Sequence, residues 1–187
     1  MKLELKKFKP PYFIHSDIIY AHNILVSYGK FDEKKNICEN HFDFLKDELG
    51  EKNLIFPSFN YQFGKSLKFD LIKDISEVGS LSEWVRTRSG FYRSHSPFFS
   101  ILTKDKFIEF KKNQYLYGKD SFFEKIFNMD GTFLFYGVDF SIFTALHYLE
   151  TTLGPVPYRY DKIFKGKIIE NDNSKNCEAV LHVRPKN

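Results

Sequence analysis

The run Phe133-Leu134-Phe135-Tyr136-Gly137-Val138 is followed a few residues later by Thr144-Ala145-Leu146-His147-Tyr148-Leu149-Glu150. The first stretch reads as a buried strand and the second as the helix it opens into. In open α/β sheets, chemistry sits at the carboxyl ends of strands, where this junction places a His and a Glu. On a helix, His147 and Glu150 stand at i and i+3 on one face, with Thr144 one turn back on the same side. A carboxylate that holds one ring nitrogen of a His leaves the other free to act as a general base. An ordinary surface His/Glu contact has the same spacing, so H-x-x-E gains meaning only from its surroundings.

Outward from that junction, helical and strand patterns alternate. Asp17–His22 reads as a short strand, and Asp32–Leu49 as a helix, because Ile37, His41, Leu45 and Leu49 recur at four-residue spacing with charges between them. Asn53–Phe59 is a second strand, which Pro57 directs to a loop. Helices are predicted from Ser80 to Arg88, from Lys104 to Lys111, and from Ser121 to Phe127 with Asp120 or Ser121 as the cap. Asp130-Gly131 turns into the strand at Phe133. Leu153–Tyr160 is read as extended loop, with late strands at Lys165–Ile169 and Ala179–Arg184. This alternation predicts a layered α/β/α-type fold with a mixed or mostly parallel central sheet.

Composition excludes several classes. With 187 residues, 42% of them hydrophobic, the chain suits one well-packed domain, and 22 Phe with 11 Tyr supply an aromatic core and amphipathic pocket walls. A net charge of +4 is spread over 28 basic and 24 acidic residues, a mixture unlike that of a dedicated nucleic-acid binder. The Lys-rich start, Met1–Pro10, lacks a signal-peptide core, and no later run is long enough to span a bilayer, so a cytoplasmic protein without membrane partners is expected. Cys38 and Cys177 stand apart from each other and from any Cys/His cluster, which predicts free thiols, no disulfide and no metal site.

Three further segments give the junction its context: Gly79–Glu83, Arg93-Ser94-His95-Ser96-Pro97, and Val156-Pro157-Tyr158-Arg159-Tyr160. With them, the chain from about Asp17 to Lys167 resembles the aminoglycoside 3-N-acetyltransferase (antibiotic N-acetyltransferase) family, whose fold differs from that of GNAT enzymes. It looks most like the branch found in surface-polysaccharide gene clusters. T-x-x-H-x-x-E followed by V-P-Y-R-Y-x-K-x-F-x-G carries the likeness. The resemblance implies a single acyltransferase domain over 1–187 that lacks the family's C-terminal part. It also implies acetyl-CoA as cosubstrate, an amino sugar or aminoglycoside as acceptor, and direct acyl transfer from the thioester to an amine. A homo-oligomer is compatible with it.

Residue by residue, the likeness makes His147 the base, Glu150 its orienting partner and Thr144 a neighbour of the developing oxyanion. The Arg86–Ser100 segment alternates Arg86, Arg88 and Arg93 with Ser89, Gly90, Ser94 and Ser96, a composition that presents guanidinium forks and amides to phosphates. It resembles the R-S-x-[H/D/N]-P segment lining the acetyl-CoA channel, so Arg93, Ser94, Ser96 and Ser100 are expected at the cofactor. The fourth motif position here is Ser96, with His95 one place earlier.

His22 and Leu25 of Ala21-His22-Asn23-Ile24-Leu25 match an H-S-S-L signature, which puts His22 and Asn23 near the cofactor. The alternative for His22 is a hydrogen-bonded buried histidine at a strand end. Ser58 of Pro57-Ser58-Phe59 replaces the Thr of P-T-F. Glu83 closes a capping box with Ser80, a structural role, although the resemblance also places a Glu here near substrate. Tyr158 and Arg159 are expected at the acceptor. With Lys162 they favour an anionic or nucleotide-activated amino sugar over a polycationic antibiotic. A different class, a non-catalytic acyl-CoA-binding relic, is suggested by the altered H-N-I-L and R-S-H-S-P motifs and opposed by the retained Thr144, His147 and Glu150.

Overall fold

In the computed structural model, which describes residues 5–88, 90–105, 114–154 and 156–185, strict two-residue alternation in the first strand divides the interior. Strand β1 is Tyr12–Ser16. Tyr12 and Ile14 point into one apolar cluster and Phe13 into another. After it come helices α1 (Ile18–Ser27) and α2 (Ile37–Leu49), strand β2 (Leu54–Pro57), the short α3 (Phe63–Ser66), β3 (Lys68–Asp70) and α4 (Ser80–Arg86). The chain continues through β4 (Tyr92–Arg93), β5 (Ile101–Thr103), β6 (Gln114–Tyr115), α5 (Phe122–Asn128), β7 (Thr132–Tyr136) and α6 (Leu146–Thr152). It then forms a long hairpin of β8 (Tyr160–Glu170) and β9 (Asn173–Val183).

The strands form two mixed sheets. One has the order β4-β5-β2-β1-β7, with β1 parallel to both neighbours and β5 antiparallel to β2 and β4. The other has the order β3-β8-β9-β6. Helices α1, α2 and α4 supply Leu25, Leu45 and Leu81 to the cluster on one face of the first sheet. On the other face Phe13 of β1 shares a cluster with Phe63 of α3, Phe123 of α5, and Phe69, Ile168 and Cys177 of the second sheet. Complete burial of Phe13 and Phe123 means that truncating either to Ala removes about 3–5 kcal/mol. Cys38 and Cys177 are free and buried, one in each cluster. Among the described residues no helix is long and apolar enough to cross a membrane.

Local chemistry sets the boundaries. Asp17 caps α1 by accepting from Ile19 N at 3.0 Å, Asn36 caps α2 by accepting from Cys38 N at 2.8 Å, and Ser121 caps α5. Asp17–His22 is therefore not a strand: the strand ends at Ser16, and this apolar stretch is the start of α1. The second expected helix begins at Ile37 instead of Asp32, and the late strands extend further, to Tyr160–Glu170 and Asn173–Val183. Of the expected helix Lys104–Lys111, all but Lys104 and Asp105 lies outside the described residues.

Where β7 ends, Gly137 adopts φ +76. A Cβ there would meet the Asp17 carbonyl and lie 2.6 Å from Ala21 N. Glycine thus lets the chain leaving β7 pass directly against the first turn of α1.

Candidate active site

The parallel strands β1, β2 and β7 and the turns that follow them enclose a cleft of about 620 Å³ at their carboxyl ends. Its lining includes His15, Ser16 and Asp17 from β1 and the cap of α1, and Tyr61 and Gly79 from the turns after β2. Thr144 and His147 come from the segment after β7, and Arg184 from the end of β9. The structure thus brings Thr144 and His147 together on one wall. The helix starts at Leu146, so Thr144 is not part of it but lies in the preceding turn, with its carbonyl accepting from His147 N at 3.1 Å and its hydroxyl donating to Ile142 O at 3.3 Å.

Behind His147 lies a dense polar assembly. His147 Nδ1 is 2.7 Å from Glu150 Oε2. The other carboxylate oxygen accepts from the Tyr158 hydroxyl at 2.8 Å, and Arg159 Nε forms an ion pair with Oε2 at 2.9 Å. Burial alone would raise the Glu150 carboxyl, but hydrogen bonds from His147 and Tyr158 and the charge of Arg159 outweigh it and hold the group below its ordinary value. An ionised carboxylate only accepts, so Nδ1 carries the proton and Nε2 is the basic nitrogen of the neutral ring. Tyr117 packs its ring 4.8 Å from that of His147, and burial pushes its phenol well above the usual range, so it stays neutral.

Tyr158 and Arg159, expected at the acceptor, are therefore committed to Glu150, and neither lines the cleft. Arg159 also donates through Nη1 to His182 O at 3.2 Å.

The cofactor expectations meet a similar fate. Arg93 is buried and spends its guanidinium inside the chain. Nε donates to Ser100 Oγ at 3.0 Å, Nη2 to Ser58 O at 2.9 Å, and Nη1 to the carbonyls of Leu71 and Asp74. Ser94 Oγ accepts from Ile101 N at 3.0 Å, Ser96 is buried beside it, and Ser100 donates to Ser58 O. Arg93, Ser58 and Ser100 thus form a strut tying the carboxyl end of β2 to the β4–β5 turn. Arg86 is bound by the Glu83 carboxylate at 2.6 Å and donates to Ile72 O. Glu83 does not close a capping box, because its Oε2 accepts from Ser76 N at 2.7 Å instead.

His22 and Asn23 lie on α1 and not at a strand end. His22 packs edge-on to Phe31 at 4.9 Å, and Asn23 is exposed. The true strand end carries His15-Ser16-Asp17-Ile18, which fits H-S-S-L at its first two positions and lines the cleft. Sequence reasoning missed these residues, although the signature itself could have found them had β1 been placed five residues earlier. His15 is only 4% exposed, burial lowers its ring to about 4, and its Nε2 has no partner among the described residues. Ser16 Oγ is also unpartnered. Both are polar atoms at the cleft that await a hydrogen-bonding group. Among the described residues no cluster of His, Cys, Asp and Glu is arranged to hold a metal ion.

Residues 40–186 match the family model described as Aminoglycoside 3-N-acetyltransferase. No curated protein matches the chain by sequence. Among solved structures, the YokD protein from Bacillus subtilis aligns with TM-score 0.69 at 15% identity, covering 93% of this chain and 75% of that one. AAC-IIIb, solved as a binary complex with CoASH, aligns with TM-score 0.70 at 16% identity, covering 94% and 70%. The apoenzyme of aminoglycoside acetyltransferase AAC(3)-IVa aligns with TM-score 0.66 at 18% identity, covering 92% and 64%. At these identities the structures establish a shared α/β fold.

Proposed function

This chain belongs to the aminoglycoside 3-N-acetyltransferase family of N-acetyltransferase enzymes, and on that premise we propose that it transfers an acetyl group from acetyl-CoA to a primary amine of an amino sugar, with His147 as the general base. The observation that carries this reading is the His147–Glu150 pair at 2.7 Å, set in the wall of a cleft at the carboxyl ends of parallel strands.

Acetyl-CoA brings the acyl group as a thioester, an activated carbonyl. His15 Nε2 and Ser16 Oγ, polar and unpartnered at the cleft, suit the polar atoms near that thioester. An ammonium has no lone pair, so His147 Nε2 removes a proton as the amine nitrogen attacks the carbonyl carbon. Glu150 fixes the ring through Nδ1 and stabilises the imidazolium. Thr144 is the residue with a side-chain hydroxyl nearest to that base in sequence that lines the cleft, and it is assigned to the oxyanion, a role that requires its hydroxyl to turn from the Ile142 carbonyl. Collapse of the intermediate breaks the carbon–sulfur bond, the His147 imidazolium gives its proton to the sulfur, which leaves as the CoA thiol, and the new amide nitrogen releases its remaining extra proton to water. No covalent enzyme intermediate is required, and Cys38 and Cys177 are buried in the two apolar clusters.

The cleft lining favours a neutral or anionic amino sugar over a polycation. Among the described residues Asp17 is the one carboxylate in its lining, and that group already caps α1, whereas Arg184 contributes a cation. Polycationic acceptors need several carboxylates. AAC-VIa, solved with sisomicin, aligns with TM-score 0.67 at 14% identity, which motivates the competing acceptor class. The test is thiol release from acetyl-CoA against a panel of nucleotide-activated amino sugars, free amino sugars, sisomicin and apramycin. Turnover highest with an amino sugar supports the reading. Turnover confined to the aminoglycosides overturns the acceptor assignment, and none with any amine overturns acyl transfer.

A further inference from the structure

The Glu150 carboxylate has one oxygen, Oε2, faced by two groups: His147 Nδ1, in a hydrogen bond at 2.7 Å, and the permanent cation of Arg159, whose Nε lies 2.9 Å away in an ion pair without hydrogen-bond geometry. The Arg159 side chain is only 8% exposed, so its charge acts on Glu150 with little screening by water. It is held there from two sides, by its place just before β8 and by Nη1 donating to His182 O on β9 at 3.2 Å. Tyr158, whose ring lies 5.8 Å from the Arg159 guanidinium and 5.7 Å from that of Arg184, fills the space between them.

We propose that Arg159 is a positioning residue for the base: by sharing Oε2 it divides the charge of Glu150, so that His147 is oriented by a carboxylate without being held permanently protonated by it. The inference rests on the general-base reading of His147. Its physical content is a balance. An unshared carboxylate at hydrogen-bond distance favours the imidazolium strongly, and an imidazolium cannot accept a proton from an amine. A neutral partner would orient the ring but give nothing to the cation that forms during transfer. Glu150 paired with Arg159 sits between these limits. The glutamate remains ionised, and only part of its field reaches the ring.

The other groups facing His147 are accounted for. Tyr117 lies against the ring from the segment after β6 and is neutral. Tyr158 donates a neutral hydroxyl to the other oxygen of Glu150. Across the cleft stand His15, Asp17, Tyr61 and Arg184, of which Asp17 is engaged in capping α1. His182 and Asp161 pair with each other at 2.9 Å beyond Arg159. Arg159 is thus the buried cation that meets Glu150 directly.

The experiment follows the ring resonances of His147 by NMR across a pH titration of the intact protein, assigned with His147→Ala. In Arg159→Gln the midpoint should rise by about one pH unit, the scale expected for removing a charge a few ångströms away. Arg159→Lys should return it most of the way, and in a Glu150→Gln background Arg159→Gln should produce a smaller rise, that of the direct repulsion between the two cations alone. Arg159→Met, which keeps the apolar stem, replaces Arg159→Gln if the latter does not fold. An unchanged midpoint, or an equal shift without Glu150, overturns the inference. The acid limb of the acyl-transfer pH profile should move upward with the ring. If no amine is acylated by the unmodified protein while the ring still shifts, the acyl-transfer reading fails and the division of charge stands.

Discussion

Ser16 and Tyr136 are register partners in the parallel pairing of β1 and β7, which brings the strand end bearing His15 beside the strand that leads to His147. The two imidazoles line one cleft from opposite ends of the sequence, and they differ in what surrounds them. His147 has a carboxylate at hydrogen-bond distance, whereas the Nε2 of His15 has no partner among the described residues. The proposed function gives the first the proton transfer and the second the holding of a neutral group.

Substituting His147 by Ala should lower acyl transfer by about 10²–10⁴-fold, the usual contribution of a positioned base, while acetyl-CoA still binds. Glu150→Gln should cost less, because an amide can keep the contact to Nδ1. Thiol release and calorimetric titration of acetyl-CoA measure the two effects, and a parental rate in His147→Ala would remove the base assignment.

For His15 the expectation is a trade between stability and binding. A buried nitrogen without a partner costs about 1–3 kcal/mol, so His15→Phe should hold or raise the melting temperature. The same change should raise KM at least several-fold by removing a polar contact. Loss of stability with unchanged KM would make His15 a core residue only.

Acid should weaken the fold through two histidines. Burial holds His15 at about 4 and His41 at about 4, the latter also repelled by His22, and His41 Nδ1 meets the Tyr136 hydroxyl at 2.7 Å. In the unfolded chain both rings titrate near 6.5, so between about 6.5 and 4 the unfolded state binds more protons. The stability due to the neutral rings is complete above that range, falls as the pH falls through it, and amounts to about 1–3 kcal/mol for each. Urea midpoints at about pH 7.5 and pH 5 measure it, and His41→Gln should flatten the dependence. A midpoint independent of pH would contradict the burial of both rings.

Gly137→Ala should destabilise the protein by more than the usual glycine-to-alanine change at positive φ. Its methyl group would press on Ala21 N at 2.6 Å as well as adopt an unfavourable backbone. A loss of about 2 kcal/mol or more in denaturant unfolding is expected. Parental stability would show that α1 can move away from β7 freely.

Much of this arrangement was legible in the sequence, for identifiable reasons. Phe133 to Val138 followed by H-x-x-E announced the strand, the helix and the pair at its start, because an apolar run bounded by turns suits a strand and a helix repeats at i+3, but the strand is an edge strand, half-buried up to Tyr136, and not the buried one expected. The first strand was misplaced because Tyr12–Ser16 runs into Ile18–Ser27 with no Gly or Pro between them, so the apolar residues of α1 looked like the strand itself. That shift carried the H-S-S-L match from His15 to His22. The Arg86–Ser100 segment is ambiguous for a different reason. An Arg/Ser/Gly composition is the same whether a guanidinium faces a phosphate or is buried against carbonyls, and Arg93 does the latter. Nor could spacing reveal that Tyr158 and Arg159 turn back to Glu150, since that contact depends on where the β8–β9 hairpin docks.

The hairpin has a consequence for how the protein comes into being. His15 and Arg184 line the same cleft, and Arg159 reaches Glu150 while anchored to His182 on the following strand. Contacts this distant in sequence close late, after most of the loop entropy has been lost. During synthesis, a chain that has emerged only as far as α6 already contains its base and that base's carboxylate, but neither the guanidinium that shares Glu150 nor the rim that confines the acceptor. On the proposed reading, acyl transfer thus requires the β8–β9 hairpin to be docked as well as α6 to be formed.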